Sequence, residues 1–176
     1  MGVAGSRISK ERGIGDAFPE SPTARRGEIG SRASALIKGR LYVGGRYDGM
    51  VAKLKNPRHM THLLCLEGTS KYPEEGSKLH YLHEPLSDGG KDNLEEFFGR
   101  VYPFLQEAVD SHGKLLIHCT SGVNRGPAIS IMVLMAFKEM SFEDAYAFVK
   151  SKRPETNIHD NYLHQLKSLS PEMLQH

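Results

Sequence analysis

Cysteine is scarce in this chain: among 176 residues only Cys65 and Cys119 carry a thiol. Two cysteines make no disulfide framework, and a thiol kept free belongs in a reducing compartment, which points to the cytoplasm. Long apolar runs are also lacking. The stretches around 115–117 and 129–137 fall far short of the roughly 20 apolar residues that a spanning helix needs, so no membrane crossing is expected. The N-terminus has no apolar centre of the kind a secretory signal carries. Nor is one sign of charge in excess. A net of +2 at pH 7 is too mild to indicate a nucleic-acid surface, and no nucleic-acid partner is expected. What remains, 25% charged and 39% hydrophobic residues, is the balance of a soluble globular protein, and the length suits one domain.

Residues 1–34 show neither helical nor strand periodicity and read as a loosely ordered leader before a domain over 35–176. Within that domain 41–45 reads as a first strand and 46–55 as a short connecting helix. The run 61–66 is apolar almost throughout, as in a strand covered on both faces, and 78–82 alternates as a third strand. Residues 85–93 are polar, with Gly89-Gly90 in the middle, and mark a loop. Over 94–109 apolar residues recur at three and four, which predicts an amphipathic helix bent or interrupted near Pro103. A buried helix over 129–140, a helix capped by Ser141 and a last one capped by Asp160 complete the pattern. Strands interleaved with helices, then a run of helices, predict an α/β fold with a small mixed sheet flanked by helices.

The chemistry concentrates in His118-Cys119-Thr120-Ser121-Gly122-Val123-Asn124-Arg125-Gly126, which lies between the apolar run 114–117 and a helix. Such a strand, loop and helix turn successive backbone N–H groups toward one point, where phosphate oxygens can be held. Cys119 supplies a nucleophile, and Arg125 a planar cation that can bridge two phosphoryl oxygens. Thr120, Ser121, Gly122, Val123, Asn124 and Arg125 are therefore the expected phosphate-binding residues, with His118 bracing the loop. No metal or other cofactor is expected, because the arginine and the amides already supply positive charge and no ligand-spaced cluster accompanies the loop.

His-Cys, five intervening residues and Arg resembles the motif of the cysteine-dependent protein tyrosine phosphatase superfamily, and the short chain resembles its small, atypical dual-specificity branch. The resemblance spans about residues 37–169. It implies a phosphatase fold and hydrolysis of phosphotyrosine and phosphoserine or phosphothreonine on proteins through a phosphocysteine. It also implies a general acid on the loop before the 94–109 helix. Asp88 falls at that position, with Asp92, read as a helix cap, and Glu84 as alternatives. Some relatives pair a second cysteine with the nucleophile, a role open to Cys65, although its strand pattern fits inert core. The residue after the arginine is Ser or Thr in most relatives, where its hydroxyl serves the departing sulfur; here it is Gly126. Thr120 and Asn124 also resemble the loop of RNA 5′-triphosphatases, which makes an RNA phosphohydrolase one alternative, and a non-catalytic phosphate-binding scaffold (pseudophosphatase) is another. Finally, Gly2 and Ser6, followed by Arg7, Lys10 and Arg12, match an N-myristoylation pattern, so a membrane surface is an expected further partner.

Overall fold

Along each strand alternate side chains enter two different cores, the period-two consequence of a pleated backbone with both faces covered. Tyr42, Leu63 and Leu116 point to one face with Ala52 and Met60, while Leu41, Val43, Leu64, Leu115 and Ile117 point to the other. The computed structural model describes residues 32–175. Its strands are β1 (Ser34–Ile37), β2 (Leu41–Gly44), β3 (His62–Cys65), β4 (His80–His83) and β5 (Leu115–His118). They form one mixed sheet in the order β1-β2-β5-β3-β4, in which only β1 runs antiparallel to its neighbour.

The helices are α1 (Arg46–Leu54), α2 (Leu94–Asp110), α3 (Arg125–Lys138), α4 (Phe142–Lys152) and α5 (Asp160–Lys167), followed by a short 3-10 turn over Pro171–Leu174. Helix α1 covers the smaller core, and α2 to α5 cover the larger one. Helix α3 is apolar nearly all round and buried over its whole first three turns, as a central helix must be. None of the described helices is long and apolar enough to cross a membrane.

Several boundaries differ from the sequence reading. Ser34, counted there with the leader, opens β1, an edge strand too short to show a pattern. Helix α2 continues through Pro103 to Asp110 rather than breaking. Its cap is Asn93, whose side chain accepts the Glu96 N–H, and not Asp92. Likewise His159, not Asp160, caps α5, whereas Ser141 does cap α4 through the Asp144 N–H. Residues 1–31, and with them Gly2 and the basic residues near it, lie outside the described residues.

Candidate active site

Strand β5 is the middle of the sheet, and its last residue, His118, pairs with Gly44 of β2 and Cys65 of β3. Three parallel strands thus end together where Cys119 begins the loop, the usual ligand position beyond strand carboxyl ends. The following segment is held from outside by its carbonyl groups. Thr120 O accepts from the Arg46 N–H at 2.8 Å, and Val123 O accepts from Asn157 N–H at 2.7 Å. Arg153 takes the two between, its Nε donating to Gly122 O at 2.6 Å and its Nη2 to Ser121 O at 3.4 Å. No peptide here is cis. In a planar trans peptide the N–H opposes the C=O, so the amides of Ser121, Gly122, Val123 and Asn124 turn together to the inner side. Gly122 has φ +72°, and a Cβ there would lie 2.7 Å from the Gly44 backbone, so only glycine lets the loop seat on β2.

Cys119 is almost fully buried, and its Sγ accepts the Gly126 N–H at 3.3 Å. The Arg125 guanidinium is fixed along its outer edge. Nη1 donates to Leu66 O (3.2 Å) and Leu86 O (3.3 Å), and Nη2 to Thr120 Oγ1 (3.0 Å). Its Nε lies 3.2 Å from Asp88 Oδ1, near enough for charge attraction but off the angle of a hydrogen bond, and it makes no other one. Thr120 Oγ1 in turn donates to Glu67 at 2.9 Å, and Arg46 Nε reaches the same carboxylate oxygen at 2.7 Å. Burial alone would raise the Glu67 carboxyl; the hydrogen bonds from Arg46 and Thr120 reverse this and hold it below its ordinary range. His118, buried under the loop, is pulled down to about 4 by burial, so its imidazole is neutral and cannot shuttle protons as a cation near pH 7.

Asp88 projects from the loop before α2 with its carboxylate largely exposed. The Asn124 side chain places it, donating 2.9 Å bonds to both the Asp88 carbonyl and Oδ1 while accepting the His159 N–H at 2.7 Å. Asn124 thus ties the Asp88 loop, the 118–126 loop and the start of α5 together through its side chain. The alternatives to Asp88 are engaged elsewhere: Asp92 Oδ2 accepts the Ser87 N–H at 2.6 Å, and Glu84 pairs with Arg100 at 3.0 Å. Tyr162 donates to the carbonyl of Ser87, and burial together with the Asp92 charge pushes its phenol up to about 12. Cys65 and Cys119 are both free and buried.

The loop residues Cys119 to Arg125 and Asp88 thus come together at one end of the sheet. Two groups in it escaped sequence reading. Arg153 is fully buried at the end of α4, and its Nη1 also donates to Arg32 O (2.9 Å) and Ser34 Oγ (3.1 Å). Glu67 carries the second, anchoring Thr120. Both sit far along the chain from the loop, and a charged residue at a helix end or in a turn is ordinarily solvated.

Residues 41–171 match the family model described as "Dual specificity phosphatase, catalytic domain". The chain belongs to that family. Among curated relatives it is similar to human dual specificity protein phosphatase 9, 32% identical over 143 residues, or 78% of this chain and 37% of the relative. It is also 30% identical over 126 residues to human dual specificity protein phosphatase 16, covering 72% of this chain and 19% of the relative. The chain accordingly spans well under half the length of these curated relatives. Among solved structures it resembles that of DUSP15, with a TM-score of 0.72, 19% identity, and coverage of 82% of this chain and 94% of that one. Human tyrosine phosphatase-like serine/threonine/tyrosine-interacting protein gives a TM-score of 0.66 at 23% identity, covering 77% and 93%. At these identities the structural likeness speaks for the fold.

Proposed function

We propose that this dual specificity phosphatase domain hydrolyses phosphate monoesters on protein side chains, both phosphotyrosine and phosphoserine or phosphothreonine. One observation carries the reading: the inward amides of Ser121 to Asn124, the Cys119 sulfur and the Arg125 Nε all face a site over which Asn124 holds the Asp88 carboxyl. The Cys119 thiolate attacks phosphorus as the ester P–O bond breaks, and Asp88 gives its proton to the leaving oxygen. Arg125 and the amides bind the three equatorial oxygens through both steps. Water then attacks the phosphocysteine, passing a proton to the Asp88 carboxylate, and the S–P bond breaks to return the thiolate and free phosphate. A carboxyl held beside the loop, where it can hand a proton to a departing oxygen, supports a monoester over a phosphoanhydride, whose leaving group departs without help.

Single-turnover and steady-state assays test this. Cys119→Ser should abolish turnover with the fold intact. Asp88→Ala should slow phosphoserine peptide hydrolysis about 10²- to 10⁴-fold and an activated aryl phosphate far less. The same leaving-group pattern in Asp92→Ala, with Asp88→Ala unaffected, would move the acid. Cytoplasmic residence with attachment to a membrane surface through myristoylated Gly2 is a separate proposal that rests on the sequence of residues 2–12. The intact mass of protein made alongside an N-myristoyltransferase reads it directly.

A further inference from the structure

At the end of the sheet opposite the phosphate loop, three side chains come together that take no part in the chemistry above. His62 and His80 are a register pair at the first positions of β3 and β4, while Cys65 and His83 pair at the other end of the same strands. Glu107 reaches the pair from α2. Its Oε1 lies 2.8 Å from His80 Nδ1 and 3.5 Å from His62 Nε2. One ligand atom from each of the three lies within 4.8 Å of the others.

We infer that His62, His80 and Glu107 form a binding site for a divalent cation of zinc type, which pins α2 to the β3–β4 edge of the sheet. The observation that separates this from a chance surface cluster is His62. Its side chain is only 3% exposed, and its Nε2, facing Glu107, makes no hydrogen bond. A buried ring nitrogen without a partner is costly unless something fills the role. Its other nitrogen is provided for, since Thr61 Oγ1 lies 2.8 Å from Nδ1 and is placed to accept a proton there when Nε2 gives its lone pair to a metal. Phe104 packs edge-on against the same ring and holds its orientation.

The dimensions suit the ion. Donors about 2.0–2.1 Å from a tetrahedral zinc stand roughly 3.3 Å apart, close to the His62 to Glu107 spacing. The His80 to Glu107 contact must open by about half an ångström, and both those side chains are more than half exposed and free to adjust. Two imidazoles and a carboxylate are a zinc donor set, and the exposed side leaves the remaining position to water.

The test is titration of the full chain with Zn²⁺, and with Co²⁺ as a visible reporter, alongside thermal melting. One equivalent should bind saturably, raise the melting temperature and give Co²⁺ bands without thiolate charge transfer. His80→Ala and Glu107→Gln, both at exposed positions, should each weaken binding at least about tenfold, and Cys119→Ser should leave it unchanged. No saturable binding would overturn the proposal. So would binding that ignores His80→Ala and Glu107→Gln, or binding lost in Cys119→Ser, which would assign the ion to the active-site thiol.

Discussion

Gly126→Ser is the substitution that most directly probes how the sulfur leaves phosphorus. Gly126 lies in the first turn of α3, and its φ is not in the left-handed region, so a side chain is open to it. A Cβ there would stand 3.5 Å from Cys119 Sγ and 3.0 Å from Val43 Cγ2. A serine hydroxyl is thus within hydrogen-bond reach of the sulfur, provided the Val43 methyl yields a few tenths of an ångström. The Gly126 N–H already donates to Sγ, so the hydroxyl would be a second donor. Thr120 cannot play this part, because its hydroxyl donates to Glu67 and accepts from Arg125. A hydrogen bond to a charged acceptor is worth about 1.5–3 kcal/mol. Crowding at Val43 takes back about 1 kcal/mol, and replacing a helical glycine returns about half of that. The net gain is about fivefold to seventyfold in the step that releases the thiolate. The first step gains nothing, since the same bond also stabilises the free thiolate before attack. Rapid-quench measurement on an aryl phosphate should therefore show a burst and slow turnover in the wild type. Gly126→Ser should give a smaller burst with a faster steady state. Linear product formation in the wild type, together with no gain in Gly126→Ser, would refute the reasoning.

Two further outcomes are expected. Arg153→Lys keeps the buried charge but loses the fork that spans Gly122 O, Ser121 O and Ser34 Oγ, so competitive inhibition by phosphate or vanadate should weaken at least about tenfold. Arg153→Met should destabilise the fold by about 3–5 kcal/mol in urea; inhibition unchanged in the lysine variant would remove Arg153 from loop bracing. His118 has its folded pKa depressed from 6.5 to about 4, so the unfolded chain binds the extra proton between those values. The stability it contributes is complete above about 6.5 and falls as pH drops toward about 4, by up to about 3 kcal/mol in all. Urea midpoints at pH 7 and pH 5, with and without His118→Gln, check this, and equal slopes in both would remove His118 as the cause.

The strand, loop and helix over 115–138 were legible because their parts are contiguous: strand, cysteine, turn glycine, arginine and helix follow one another, and their order alone implies where the amides gather. Asp88 was placed by resemblance, and its tether to Asn124 is a side-chain bond across 36 positions that no local pattern encodes. The outer support was invisible for the same reason. Arg153 meets the loop 31 positions away, and Glu67 meets Thr120 across 53. Helix caps failed by single residues at Asn93 and His159, where two adjacent polar side chains competed and tertiary contacts decided. Strand β1 was missed because four edge residues, three of them half-buried, carry too little periodicity.

Arg153 also decides where a shortened version of this protein can begin. The family match starts at residue 41, yet both hydrogen bonds of the buried Arg153 Nη1 go to Arg32 O and Ser34 Oγ, with Glu155 pairing more loosely at 3.4 Å. The Ala33 N–H is likewise one of the two backbone donors to the half-buried Asp48 carboxylate, Gly45 being the other. A chain trimmed to the family match would keep Asp88 and the whole 118–126 loop and still leave a permanent cation and a carboxylate each short of a partner. Expression of the catalytic unit should therefore start upstream of Arg32, and a fragment starting at 41 should bind phosphate poorly for reasons that have nothing to do with its phosphate contacts.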